Sequence, residues 1–195
     1  MKRRLFLTGP SGCGKTTLIR QELGGAAAYA GGFVTERLTG EDGRELAFEL
    51  RPAAAIVGGE GFETYRFMDY STAPPRKDNE VFRGPAVRLL QEAESYPFAL
   101  MDEVGGFEIL IPQFRQALET LLNSELPIIG VVKGPANAEE LRAHFGLGEK
   151  FSLLADNLRR ALNTDPDTVV LEMQRRGDEA VRRVVRQWVS EYAAY

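Results

Sequence analysis

The chain has 195 residues, of which 44% are hydrophobic, and this is enough to bury the core of one α/β domain. Its formal net charge is −4, so no general basic field indicates binding to nucleic acid or to an anionic membrane surface. A single cysteine excludes an internal disulfide and is typical of the reducing cytoplasm, and one cysteine with one histidine argues against a zinc site.

The basic residues 2–4 precede only a short apolar run, which ends at Thr8. That run is too short for the core of a signal peptide, and no other run approaches transmembrane length. We therefore expect one cytoplasmic domain, residues 1–195, with neither a membrane nor a nucleic acid as its partner.

A phosphate-binding motif, G-x-x-x-x-G-K-T, follows the apolar run Leu5-Phe6-Leu7. Glycines let the backbone wrap closely around phosphate oxygens, and the N–H groups at the start of the next helix form an anion cradle. Lys15 would reach the β- and γ-phosphates, and the Thr16 hydroxyl would bind Mg²⁺. The motif predicts nucleoside-triphosphate binding by Gly9, Pro10, Ser11, Gly12, Cys13, Gly14, Lys15, Thr16 and Thr17.

Cys13 allows two interpretations. At the N-terminus of a helix, its thiol would be a reactive handle on the site that bound nucleotide protects. Alternatively, it is only a small side chain that points into the core.

Two neighbouring segments, 31–38 and 45–50, predict a β-hairpin inserted after the first strand and helix. The first is rich in β-forming residues behind a glycine pair, the second alternates polar and apolar residues, and turn chemistry separates them. The hairpin has either a purely structural role or a role at the nucleotide site.

The next stretch is less regular. Residues 53–57 predict a short strand or helix, and residues 64–68 predict a strand. Residues 69–79 contain a Pro-Pro pair and predict an irregular loop, which is either an ordinary connection or a lid.

The apolar run 98–101, followed by Asp102 and Glu103, predicts a strand of the Walker B type. Asp102 at the carboxyl end of such a strand can hold Mg²⁺ through a water, and Glu103 can orient or deprotonate the attacking water. Consecutive side chains of a regular strand point to opposite sides, so we expect Asp102 to face the metal and Glu103 to turn towards the γ-phosphate beyond the strand. Glu36 and Glu108 are the reserve candidates for the catalytic carboxylate.

The rest of the chain predicts alternating strands and helices. Lys133 ends a buried strand at 127–132, and it is either an exposed lysine or a positive charge for the γ-phosphate. Apolar periodicity predicts helices at 84–95, 114–122, 137–145, 153–162 and 181–192, and a last strand at 168–171. The order predicts a three-layer P-loop fold with a mostly parallel sheet, helices on both faces, and the site at the carboxyl ends of the strands.

These motifs resemble the cancer-related nucleoside-triphosphatase family, which was first described from thermophiles. The phosphate loop is followed by Gly32-Phe33-Val34-Thr35, by residues 43–50, and by Asp102-Glu103-Val104-Gly105 with Glu108, in the family's order. The resemblance covers residues 3–133. It implies a RecA-like P-loop fold and slow Mg²⁺-dependent hydrolysis of ATP, GTP and other nucleoside triphosphates to diphosphate and phosphate.

The chain departs from the family pattern at several positions and resembles a divergent member. The family's lysine and methionine after Asp-Glu-Ile-Gly are Gly106 and Phe107 here, and its acidic residue and arginine in the hairpin strand are Arg37 and Thr39. The family's Asn-Arg pair after the last strand has no clear counterpart near 175–178. The source of a stabilising cation is therefore open between Lys133, Arg37 and a partner protein.

Hydrolysis is the function that the sequence favours, and two alternatives stay open. A small nucleotide or metabolite kinase would close a lid over its acceptor, and residues 69–83 with Arg76, Lys77 and Arg83 are the candidate lid. A nucleotide-dependent switch would instead recruit an unidentified protein partner with little turnover.

Overall fold

The computed structural model describes residues 1–58 and 61–193. Within these residues an eight-stranded sheet is covered by helices. The strands are β1 Arg4–Thr8, β2 Ala30–Thr39, β3 Glu45–Pro52, β4 Tyr65–Asp69, β5 Arg76–Lys77, β6 Phe98–Val104, β7 Ile128–Val132 and β8 Thr168–Glu172. The α-helices are α1 Lys15–Leu23, α2 Glu80–Arg83, α3 Pro85–Glu92, α4 Pro112–Leu122, α5 Pro135–Phe145, α6 Glu149–Thr164 and α7 Glu179–Tyr192.

The order of the sheet is β5-β4-β3-β2-β6-β7-β1-β8. The strands from β8 to β2 pair in parallel, and β3, β4 and β5 extend the sheet in antiparallel pairing. Because parallel strands end at the same edge, the loop after β1, the end of β6 and Lys133 after β7 all lie at one edge of the sheet. The predicted mostly parallel sheet, with its site at this edge, follows from that order.

The predicted hairpin is confirmed as β2 and β3, and β2 also belongs to the parallel part of the sheet. Residues 30–33 pair in parallel with β6, whereas residues 33–39 pair with β3 in antiparallel register. Gly32 has a φ of +89°, and a Cβ there would lie 2.4 Å from the Leu100 carbonyl oxygen. Glycine is therefore required where β2 meets β6.

Helices cover both faces of the sheet, as predicted. Side chains alternate along β1, so Leu5 and Leu7 pack with α1 and α7 on one face while Phe6 packs with α2, α3, α4 and α6 on the other. On the first face Trp188 is fully buried, and its Nε1 donates to the Arg3 carbonyl oxygen at 3.0 Å. This contact joins the last helix to the start of the sheet.

In residues 53–83, where the sequence pattern is least regular, the structure adds elements that the sequence did not specify. Residues 53–57 form a 3₁₀ helix. The predicted loop at 69–79 contains β5, and the short α2 that follows it was not predicted because four residues show no periodicity. The single-domain extent of 1–195 stays a prediction, and its residues 59, 60, 194 and 195 lie outside the described residues. Across the described chain, no helix has both the length and the apolar character needed to span a membrane.

Candidate nucleotide-binding and active site

The phosphate loop joins β1 to α1 through glycines with left-handed backbone conformations. Gly9 has a φ of +131°, and a Cβ there would lie 2.1 Å from the Met173 carbonyl oxygen, so another residue would force the loop to move. Gly14, with a φ of +96°, directly precedes α1. The first N–H groups of any α-helix lack partners within it and carry its positive dipole end, so the loop and α1 together form an anion cradle.

Two side chains of this loop point inward. Lys15 is buried, and its Nζ donates to the carbonyl oxygens of Gly9 at 3.0 Å and Pro10 at 2.7 Å. Cys13 is buried among the apolar residues of the α1 and α7 face, and its thiol donates to the Met173 carbonyl oxygen at 3.1 Å. The structure therefore favours the interpretation of Cys13 as a small side chain that points into the core, so that only its backbone takes part in the phosphate loop.

Asp102 connects the end of β6 to the phosphate loop. Its Oδ1 accepts a hydrogen bond from the Thr16 hydroxyl at 2.8 Å. Burial, with a smaller contribution from the neighbouring Glu103 carboxylate, raises the pKa of Asp102 to about 7 against the lowering effects of Thr16 and Lys133. The two predicted metal ligands are thus in contact, and a negative charge on this pair lacks full compensation from the protein.

Glu103 faces the same cleft because β6 is irregular at this point. The register with β7 shifts between Met101 and Val104, and Glu103 has a φ of +63°. This left-handed conformation is strained for a residue with a side chain, and such strain is concentrated at functional sites. The strand continues to Val104. The expectation that Glu103 leaves the strand is therefore wrong, since a bulge within the strand turns its side chain instead.

Lys133 lies in the site and is paired with the predicted catalytic carboxylate. Its Nζ lies 3.1 Å from Glu103 Oε2, and its side chain is largely buried. A Cβ on Gly106 would lie 3.3 Å from Lys133 Cε, so Lys133, which directly follows β7, occupies the space beside the glycine that replaces the family's lysine. Glu108, buried nearby, accepts hydrogen bonds from the amides of Gly105 and Gly106 at 2.8 and 2.7 Å, and burial raises its pKa.

Two other charged candidates, Arg37 and Glu36, form ion pairs between β2 and β3. Arg37 lines the cleft but pairs with Glu45 at 2.7 Å. Glu36, on the opposite face of β2, pairs with Arg51 at 2.6 Å. Because side chains alternate along a strand, Glu36 points away from the side on which Arg37 meets the cleft, and this weakens its case as a reserve catalytic carboxylate.

A cleft of about 630 Å³ brings the predicted residues together. From the sequence-predicted set it is lined by Ser11, Gly12, Gly14, Lys15, Thr16, Thr17, Arg37, Glu103, Glu108 and Lys133. Among the described residues of that set, Gly9, Pro10, Cys13, Glu36 and Asp102 are absent from this lining. It also takes in residues that no motif indicated, among them Asn137, His144, Arg176 and a group of aromatic rings. The exposed His144 ring lies at this cleft.

Asp102 makes the stability of the metal-free protein depend on pH. Its pKa rises from 3.8 to about 7 on folding, so between these values the unfolded chain releases a proton that the folded chain keeps. The contribution of Asp102 to the free energy of unfolding is largest below the pKa of the unfolded chain. It falls by about 1.4 kcal/mol per pH unit as the pH rises to the pKa of the folded protein. We expect Asp102→Asn to abolish this fall, raising the stability of the variant relative to wild type by roughly 2–3 kcal/mol between about pH 5 and about pH 8.

The measurement is urea unfolding of both proteins in a chelator across this pH range. Asp156→Asn, which removes an exposed carboxylate, is the matched control and should track wild type. A stability difference between Asp102→Asn and wild type that stays constant with pH would contradict the assignment.

The loop between β1 and α1, the acidic end of β6 and the cleft at the carboxyl edge of the sheet define a P-loop nucleotide-binding protein. The fold compares with the crystal structure of THEP1 from the hyperthermophile Aquifex aeolicus at a TM-score of 0.66, over 98% of this chain and 99% of that one, at 15% identity. That likeness confirms the three-layer α/β fold.

The sequence comparisons identify the family. A family model described as NTPase matches residues 4–164. The chain is 32% identical over 138 residues to nucleoside-triphosphatase THEP1 of Thermotoga sp. (strain RQ2), across 67% of this chain and 74% of that protein. It is also 32% identical over 165 residues to the cancer-related nucleoside-triphosphatase of Homo sapiens, across 73% and 84%. The chain belongs to this nucleoside-triphosphatase family, which confirms the resemblance and the predicted class of enzyme.

Proposed function

We propose that this cleft hydrolyses nucleoside triphosphates to diphosphate and phosphate with Mg²⁺, in the cytoplasm. One observation supports this most strongly: the Lys15 ammonium, the Thr16–Asp102 contact and the Glu103–Lys133 pair line or border one cleft. Phosphoryl transfer needs positioning and charge stabilisation more than covalent chemistry by the protein. The lone, buried cysteine supports the cytoplasmic assignment.

The oxygen donors of Thr16 and Asp102 suit a hard divalent cation. Asp102 is buried, and both its burial and the nearby Glu103 carboxylate disfavour its negative charge and raise its pKa. A cation bound beside Asp102 would neutralise that charge. The Thr16 hydroxyl would bind Mg²⁺ directly and Asp102 would hold it through a water. When bound, Mg²⁺ neutralises charge on the β- and γ-phosphate oxygens.

The chain's own groups have separate roles in the proposed reaction. Lys15 leaves its loop carbonyls to contact the β- and γ-phosphates, and the first amides of α1 hold the phosphate oxygens. Glu103 accepts a proton from the attacking water or orients that water. Lys133 holds the Glu103 carboxylate by its 3.1 Å contact, and it supplies positive charge on the γ-phosphate side.

The positions of the other cations favour hydrolysis over a kinase with an arginine-bearing lid. Arg76 and Arg83 are exposed, and Arg83 pairs with Glu80 on its own short helix. Lys77 lies over the Phe107 ring, with its Nζ 4.6 Å from the centroid. Among the described residues that line the cleft, none of these three is present.

The test is phosphate release from a panel of nucleoside triphosphates over a Mg²⁺ titration. We expect release that needs Mg²⁺, and we expect Asp102→Asn to raise the half-activating Mg²⁺ concentration by about tenfold or more, since one metal contact of about 1.4 kcal/mol or more is lost. Asp156→Asn is the control. Nucleotide binding without phosphate release would favour the switch, and an unchanged Mg²⁺ dependence in Asp102→Asn would refute the metal assignment.

A further inference from the structure

Besides the phosphate loop, the cleft has an aromatic part of its lining that contacts with a triphosphate do not explain. Aromatic side chains from five separate parts of the chain line it. We call this part of the cleft the aromatic chamber, and its rings are Phe48, Phe67, Tyr70, Phe82, Phe107 and Phe145.

The rings of the aromatic chamber form a continuous wall. Phe82 packs edge-on against Phe67 with centroids 5.1 Å apart, and against Phe107 with centroids 5.4 Å apart. These three are buried, while Phe48 and Phe145 are half-buried at the two sides of the wall. Ring contacts of this kind fix the orientation of the side chains, so the chamber is a preformed apolar surface suited to a flat ring.

The chamber adjoins the γ-phosphate side of the site. Phe107 follows Glu103 by four residues, and Gly106, Glu108 and Lys133 line the same cavity between them. We infer that the nucleoside end of the substrate lies in the other direction, towards the start of α1, where the Arg176 side chain packs beside Gly14. A molecule in the chamber would therefore meet the γ-phosphate and Glu103, and not the base.

We propose that the aromatic chamber binds a second substrate, a small molecule with a flat apolar ring and a hydroxyl group, which accepts the γ-phosphoryl group. This rests on the proposed function for the nucleotide half of the cleft. The acceptor oxygen forms a bond to Pγ, the bond from Pγ to the β,γ-bridging oxygen breaks, and the hydroxyl proton passes to the Glu103 carboxylate. The products are a phosphate ester and the nucleoside diphosphate, and hydrolysis is the same reaction with water as the acceptor.

The chemistry of the chamber supports an organic acceptor. Water as an acceptor needs no apolar wall, and the exposed parts of aromatic side chains remain in unfavourable contact with water unless an apolar body covers them. The Glu103 carboxylate, held by Lys133, is the general base that a hydroxyl acceptor requires. Of the cations of residues 69–83, Lys77 lies against the chamber, with its Nζ 4.6 Å from the Phe107 centroid and 5.8 Å from the Phe145 centroid. Arg76 and Arg83 have no part in this proposal.

The test uses γ-labelled ATP with Mg²⁺ and a ladder of probes that share one ring: benzyl alcohol, phenylethanol and phenylpropanol. Each added methylene extends the hydroxyl towards the γ-phosphate while the ring stays in the chamber. We expect one member of the ladder to receive label in an organic phosphate ester, at about tenfold or more above ethanol at equal concentration. Ethylbenzene, which has the ring without the hydroxyl, should suppress that transfer by competition.

Two variants tie the transfer to the chamber. Phe48→Leu and Phe145→Leu lie on different elements, and each should lower the ratio of ester to free phosphate by about fivefold or more. Tyr96→Leu changes a partly exposed aromatic residue outside the cleft and should leave that ratio unchanged. Circular dichroism of each variant identifies any loss of fold, and the probe ladder on the wild type does not depend on the variants.

Label transfer to the ring alcohols no greater than to ethanol would overturn the proposal, as would a ratio that neither chamber variant lowers. These outcomes leave the proposed function in place if ATP is still hydrolysed. Absence of both hydrolysis and transfer would instead refute the proposed function at the phosphate loop.

Discussion

Lys15→Ala should abolish hydrolysis while the protein stays folded. The ammonium is the positive side chain that the phosphate loop itself contributes, and its Nζ is held within 3.0 Å of the loop carbonyls. Removing one preorganised donor of developing negative charge costs roughly 10² to 10³ in rate, and a charged donor costs more. Alanine is a strong helix former, so α1 can still begin at this residue.

Single-turnover hydrolysis of Mg²⁺–ATP and thermal unfolding should be measured on the same Lys15→Ala sample. Lys150→Ala, which removes an exposed lysine near the start of α6, is the matched control and should hydrolyse like wild type. A folded Lys15→Ala protein with wild-type turnover would show that the phosphate loop is not the site of the reaction.

The part of the site that could be predicted is the part encoded by adjacent residues. The phosphate loop has a fixed spacing of glycines, lysine and threonine, and each residue type has a local physical reason. The alternation of strands and helices likewise follows from short apolar runs and from helical periodicity, so the three-layer fold was predictable. Both signals are independent of distant contacts.

The orientation of Glu103 could not be predicted because it depends on a neighbouring strand. A regular β6 would direct Asp102 and Glu103 to opposite sides. The register shift against β7, together with the φ of +63° at Glu103, places the Glu103 side chain at the cleft while Asp102 contacts Thr16. A bulge of this kind is a property of the paired strands and leaves no pattern in residues 98–104.

Long-range placement also explains why the pairing of Lys133 with Glu103 and the aromatic chamber were not predicted. Lys133 lies 30 positions after Glu103 in the chain, and only the pairing of β6 with β7 brings them together. The aromatic chamber collects rings from residues 48 to 145, each of which sequence patterns assign to its own strand, helix or loop. A ring that serves a core and a ring that lines a cleft have the same local signature.

Of the substitutions at Asp102 and Glu103, we expect Glu103→Gln to cause the larger loss of hydrolysis rate at saturating Mg²⁺. This change removes the charge but keeps the shape, so the strained backbone at Glu103 and the Thr16–Asp102 contact remain. A general base is worth about 10² to 10⁴ in rate, or roughly 3–5 kcal/mol of barrier, and we expect a loss of that size in single-turnover hydrolysis. Binding of Mg²⁺–ATP should be at least as tight as in wild type, because one negative charge beside the γ-phosphate has gone.

The informative comparison pairs Glu103→Gln with Asp102→Asn and with Lys133→Met over one Mg²⁺ titration. Asp102→Asn should change the Mg²⁺ dependence, whereas Glu103→Gln should lower the rate at saturating Mg²⁺. If Lys133 acts by holding Glu103, then Lys133→Met should lower the rate in the wild type and have a smaller effect in the Glu103→Gln background, since residues that act together are not additive. Hydrolysis at the wild-type rate by Glu103→Gln would transfer the role to Glu108, the buried carboxylate that lines the same cleft, because Glu36 points away from it.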